Sequence, residues 1–121
     1  MIQVYHNPRC GKSRDCLAFL DNAAVSYQTI DYLNDAPTYE VLRELVRKLG
    51  LKPIDLVRQK EPLWKEKFAG KKMAPAQLLR AMSKHPVLIE RPIVINGDKA
   101  VIARPVEHAM DILDGSFNKP L

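Results

Sequence analysis

Only two of the 121 residues are cysteine, Cys10 and Cys16, too few for a disulfide framework. In a reducing compartment such cysteines are structural or reactive rather than bridged. No apolar run approaches the roughly 20 residues needed to span a bilayer. The N-terminus also lacks the charged start and long apolar stretch of a signal peptide. The expectation is a cytoplasmic protein with no membrane partner. Long Lys/Arg blocks are missing, as is the aromatic interleaving with which single-stranded nucleic acid is read. The net charge of +5, from 19 Lys and Arg against 14 Asp and Glu, is scattered along the chain, which suits an anionic substrate better than a nucleic-acid partner. His85 and His108 have no partners at ligand spacing, so no metal site is expected. There is no internal repeat, low-complexity tract or linker.

What is present is enough for one domain over residues 1–121, since 46% of the chain is hydrophobic and 27% charged. Its most informative stretch runs from His6 through Asn7, Pro8, Arg9, Cys10, Gly11, Lys12 and Ser13 to Arg14. The apolar run Ile2 to Tyr5 reads as a buried strand ending in an Asn-Pro turn. From Ser13 to about Asn22, Cys16, Leu17 and Leu20 recur at helical spacing. Cys10 therefore sits where a strand gives way to a helix, and the unpaired N–H groups of a first helical turn favour an anion there. Arg9, Lys12 and Arg14 are close by, and no acidic residue precedes Asp15, so the thiolate, which is the nucleophilic form, is favoured.

Tyr27 to Tyr32 has strand composition and is broken by Asn34-Asp35-Ala36-Pro37. Strand, helix and strand in that order predict a right-handed βαβ unit, whose ligands sit at the carboxyl ends of the strands, where Cys10 lies. Thr38 can cap a helix with the apolar face Tyr39, Leu42, Leu45, Val46 and Leu49, stopped by Gly50. Two short helices are expected over Ile54 to Val57 and Leu63 to Phe68. A longer one opens at Pro75, presents Leu78, Leu79 and Met82, and stops at His85-Pro86. The runs flanking Asn96-Gly97-Asp98 read as a hairpin. A final helix is expected from Pro105, with Val106, Ala109, Met110 and Leu113 inward and Gly115 at its end.

The hairpin makes neighbours of two arginines. If Gly97 and Asp98 form the loop, Arg91 faces Arg104; if Asn96 and Gly97 do, Arg91 faces Ile102 and Arg104 is one diagonal step away. Like charges across a strand pair are destabilising, so an anion between them is one reading. The other is that they point to opposite sides or pair with Glu90 and Glu107.

Four segments, residues 6–14, Leu56-Val57-Arg58-Gln59-Lys60-Glu61, Glu90-Arg91-Pro92-Ile93-Val94 and Ala103-Arg104-Pro105, resemble in order and spacing the glutaredoxin-linked arsenate reductase family, over nearly the whole chain. The resemblance implies a thioredoxin-like α/β fold, with a four-stranded mixed sheet flanked by helices and an inserted helical region. It implies a cis Arg91–Pro92 bond, Cys10 as nucleophile, and Arg58, Arg91 and Arg104 as an oxyanion-binding triad. His6, Ser13, Arg14 and Pro92 take supporting places, with His6 and Ser13 candidates for tuning or hydrogen-bonding the sulfur. No tightly bound cofactor is implied: glutathione serves as co-substrate, glutaredoxin as protein partner, and arsenate or a similar oxyanion as substrate. Lys12 stands where well-studied members carry threonine.

Cys10-Gly11-Lys12-Ser13 has the form C-x-x-S and lacks the resolving cysteine of a dithiol pair. Cys16 lies six residue steps along the helix from Cys10, an advance of about 9 Å, beyond the roughly 7 Å Cα limit for a disulfide. Cys16 is expected in the core. A C-x5-R phosphatase-type site is disfavoured because Cys16 occupies the arginine position, and a P-loop because its leading glycine is missing. The alternatives are a monothiol oxidoreductase of this type acting on another substrate, such as a glutathione mixed disulfide, and a redox-linked regulator that binds RNA polymerase. Ser13 argues against the latter, since those regulators carry C-x-x-C.

Overall fold

The computed structural model describes residues 2–113, which fall into two compact units. One is formed by the residues up to Tyr32 together with those from Arg91 onward, the other by Leu33–Glu90.

The first unit is built on four strands, β1 (Ile2–Tyr5), β2 (Tyr27–Ile30), β3 (Ile93–Asn96) and β4 (Lys99–Ile102), in the order β2-β1-β3-β4. β1 and β2 are parallel, joined through α1 (Gly11–Asn22) in the βαβ arrangement the sequence predicts, while β3 is antiparallel to both β1 and β4. In the hairpin Asn96 pairs with Lys99 and Ile93 with Ile102, leaving Gly97 and Asp98 as the loop. The first of the two registers is thus realised, and Gly97 takes the positive φ of 61° that the turn requires. Counting outward, Arg91 and Arg104 stand at the root of the hairpin.

Alternation along β1 and β3 sends Ile2, Val4 and Val94 to one face, where they pack with Cys16 and Leu20 of α1 and with Ala109, Ile112 and Leu113 near the C-terminus. Tyr5, on the other face, stacks on Tyr32 at 5.5 Å between ring centroids. The C-terminal segment departs from expectation. A 3-10 helix over Val106–Ala109 precedes α6 (Met110–Leu113), and the change of winding turns Met110 outward to 49% exposure while Ile112 goes inward. Gly115 lies outside the described residues.

The second unit carries four helices: α2 (Tyr39–Leu49), α3 (Pro53–Leu56), α4 (Pro62–Lys67) and α5 (Pro75–Lys84), followed by a 3-10 turn at Pro86–Leu88. In sequence it is the helical region inserted between β2 and β3. Thr38 caps α2, its Oγ1 accepting from the Val41 N–H at 3.2 Å, and Gly50 closes it in the left-handed conformation. α3, α4 and α5 each begin with proline, which needs no N–H there. The sheet order, the flanking helices and the inserted helices make a thioredoxin-like fold. No helix among the described residues is long and apolar enough to cross a membrane.

Candidate active site

Cys10 is the N-cap of α1, with extended backbone (φ −97°, ψ 122°) and a partly exposed side chain. The loop before it is braced by short polar contacts that its composition makes possible. Asn7 Oδ1 accepts from the Arg9 N–H at 3.0 Å, the Cys10 N–H donates to Asn7 O at 3.0 Å, and Arg14 Nη1 donates to Pro8 O at 2.9 Å. These are the bonds of an Asx turn followed by a tight turn, which Asn-Pro favours. They hold the sulfur over the first turn of α1.

Burial pushes the Cys10 thiol up, but the opposing influences win and its pKa lies below the ordinary 9.0. The backbone N–H of Ser13, the charge of Arg91, the N–H of Lys12 and a hydrogen bond from the Arg91 side chain all favour the thiolate. No hydrogen bond of cap geometry forms from the Cys10 side chain; the first-turn N–H groups act on the sulfur by their direction and partial charge. Arg91 is buried, only 7% exposed, at the end of a cis Arg91–Pro92 bond. The Ala103 N–H donates to Pro92 O at 2.9 Å, which extends the hairpin ladder to the arginine. Arg104, also followed by a cis proline, is exposed and reaches back with Nη1 to the Arg91 carbonyl at 3.5 Å.

The first unit therefore sets the Arg91 guanidinium against Cys10 and joins Arg104 to Arg91 through its carbonyl, with His6, Ser13 and Arg14 in the loop and first turn that carry the cysteine. The Ser13 hydroxyl is committed elsewhere than the sulfur: its Oγ accepts from the Asn7 N–H at 2.9 Å and lies 2.9 Å from His6 Nδ1, all within a fully buried serine. It is the Ser13 backbone that acts on Cys10. Burial and the Arg14 guanidinium lower the His6 pKa, outweighing the raising effect of Asp31. A neutral His6 matches Ser13 as a donor to Nδ1. Asp31 belongs to this electrostatic setting, though an isolated acid after a strand offers no signal in the sequence. Cys16 is wholly buried, and burial raises its thiol pKa to about 11, so it remains an inert thiol.

Arg58 belongs to the second unit. It follows α3 directly after Val57, whose backbone bridges Ile89, and its own N–H donates to Leu88 O at 2.7 Å. Its half-buried guanidinium pairs with Glu61 through Nη1 at 2.7 Å, leaving other donors of the planar fork for a further acceptor. Among the described residues no three His, Cys, Asp or Glu side chains are grouped so as to hold a metal ion.

A thiolate at a helix N-terminus beside a buried guanidinium can attack an electrophilic centre that carries negatively charged oxygens. The sequence model of the ArsC family matches residues 5–112. An arsenate reductase of Haemophilus influenzae is 41% identical over 114 residues, which cover 93% of this chain and 98% of that protein. The protein YfgD of Escherichia coli, named as uncharacterized, is 40% identical over 114 residues, covering 93% and 96%. The solved structure of an arsenate reductase from Vibrio cholerae matches with a TM-score of 0.88 at 42% identity, over 93% of this chain and 97% of that one.

Proposed function

The chain belongs to the ArsC family, and from that premise we propose that it is an arsenate reductase whose nucleophile is the Cys10 thiolate. The observation that supports the reading best is the pairing of a thiol of lowered pKa with the buried Arg91 guanidinium at one helix N-terminus. The Cys10 sulfur attacks arsenic, an S–As bond forms, and one oxygen leaves as hydroxide, which is protonated to water. Arg91 and Arg104 hold the remaining oxygens and the charge redistributed among them, and the family resemblance alone adds Arg58 as a third oxyanion-binding residue.

Glutathione then serves as co-substrate. Its thiol loses a proton and attacks the Cys10 sulfur; the S–As bond breaks with its electron pair going to arsenic. Arsenic is thereby reduced from As(V) to As(III) and leaves as arsenite, and the two sulfurs are oxidised together to a mixed disulfide. A glutaredoxin thiol takes the glutathionyl group and restores the Cys10 thiolate. Outside thiols are needed because Cys16 is buried and its thiol pKa lies at about 11. No tightly bound cofactor enters the scheme, and it suits the glutathione-rich cytoplasm.

Arsenite release in the presence of glutathione and glutaredoxin tests the proposal. Cys10→Ser should release none, Cys16→Ser should stay near wild type, and Arg91→Ala should lose on the order of a hundredfold or more, as oxyanion donors do. Activity retained by Cys10→Ser would refute the mechanism. Wild-type protein that reduces glutathione mixed disulfides yet releases no arsenite would transfer the same thiol chemistry to another substrate.

A further inference from the structure

The helical unit holds a cleft that plays no part in the chemistry above. Its volume is about 480 Å3, within the roughly 300–1,000 Å3 of small-molecule sites. Ile54 of α3, Trp64 of α4, Leu78 of α5 and Met73, which lies just before α5, make its walls largely apolar, and Lys52 and Lys71 supply its only charges among the described residues. The nearest acid in sequence, Asp55, is turned to the backbone, its Oδ2 accepting from the Lys52 N–H at 3.2 Å. Trp64 is buried and stacks on Phe68 at 5.6 Å, so it forms a fixed wall. Met73 is the adaptable one.

This combination selects a ligand by its two ends. The walls favour an apolar body and offer few polar partners within the cleft. Lys52 and Lys71 are both exposed, so their stems can follow the apolar lining while the ammonium groups stay wet at its edge. Such point charges complement one small anionic head without demanding bidentate geometry. We propose that the cleft binds a small amphipathic carboxylate, its aromatic or aliphatic body between Trp64, Ile54, Met73 and Leu78 and its carboxylate between Lys52 and Lys71.

Trp64 is the chain's one tryptophan, so its fluorescence reports on the site directly. The test titrates wild-type protein with three probes of one carbon skeleton: 4-phenylbutyrate, 4-phenylbutan-1-ol and 4-phenylbutylamine. Saturable change with the carboxylate is expected, with the alcohol weaker and the amine weakest. The double variant Lys52→Gln/Lys71→Gln, altered only at exposed positions, should bind the carboxylate about three- to tenfold more weakly and the alcohol unchanged. Equal affinity for all three probes, or carboxylate binding that ignores the double variant, would overturn the proposal. So would the absence of saturation. A Trp64 spectrum that already changes with protein concentration, before any probe is added, would assign the cleft to a second copy of the chain and equally overturn it.

Discussion

At the scale of single residues, the site depends on two kinds of group, backbone N–H and guanidinium, acting on one sulfur from different parts of the chain. The Ser13 and Lys12 N–H groups belong to α1 and survive any side-chain change, whereas the Arg91 contribution belongs to its guanidinium. The pH dependence of Cys10 alkylation separates them. In wild-type protein the rate should level off below the ordinary thiol value of 9.0; in Arg91→Ala the midpoint should move up toward it, and Arg91→Lys, which keeps charge but not the fork, should fall between. Burial and a pKa of about 11 keep Cys16 out of this measurement. Ser13→Ala makes the complementary case. Removing the hydroxyl leaves the Asn7 N–H and His6 Nδ1 without their shared partner, so urea denaturation should show a loss of about 1–3 kcal/mol, while the alkylation midpoint hardly moves. Sequence patterning reached this scale unevenly. Arg91 and Arg104 could be found by counting outward from Gly97-Asp98, because strand register converts spacing into proximity. Arg58 could not, since it follows a four-residue helix with no periodic face, and only the family resemblance singles it out.

At the scale of elements, two helices end by the same geometry with different residues. After α2, the Gly50 N–H donates to Arg47 O at 3.1 Å and the Leu51 N–H to Val46 O at 3.3 Å. After α1, the Ala24 N–H donates to Asp21 O and the Val25 N–H to Leu20 O, both at 3.0 Å. Both are Schellman closures, each with a left-handed residue, at φ 67° for Gly50 and 56° for Ala24. Glycine announces the first in the sequence; alanine conceals the second, which only the structure reveals. The stability consequences run in opposite directions. Gly50→Ala should cost about 1 kcal/mol from backbone strain alone, because a Cβ there meets nothing within 4 Å. Ala24→Gly should gain about 0.5–1 kcal/mol, the relieved strain exceeding the added chain entropy. Thermal unfolding of the two variants beside wild type checks both signs. The same reasoning explains the C-terminal difference. Helical spacing suggested Met110 as a core position, but the 3-10 turn over Val106–Ala109 advances the chain at a different angle per residue and sends it to solvent.

At the scale of the molecule, the unit that holds Cys10 and Arg91 is discontinuous in sequence, so its core closes only when the two ends of the chain meet. Ile2, Val4, Cys16 and Leu20 come from one end, and Val94, Ala103, Ala109, Ile112 and Leu113 from the other. Helical spacing marks Cys16, Leu20, Ala109 and Leu113 as inward-facing, and the apolar run marks Ile2 and Val4 as a buried strand, but neither pattern says which faces meet, because strand order is set by long-range pairing. That pairing is what makes the C-terminal segment relevant to a thiol near the N-terminus. Cys16 provides a built-in probe: it is fully buried, so a thiol reagent reaches it when this core opens. Leu113, also fully buried, makes no bond to either cysteine, and Leu113→Ala should destabilise the core by about 2–5 kcal/mol. Where opening and closing outpace the reagent, labelling follows the open population. Cys16 labelling should then accelerate by roughly thirtyfold to several thousandfold, at about tenfold per 1.4 kcal/mol. Cys10, already accessible, should keep its native rate in the folded fraction. Acceleration of Cys16 without loss of global stability would mean that α1 opens on its own, and that the two chain ends do not form one cooperative core.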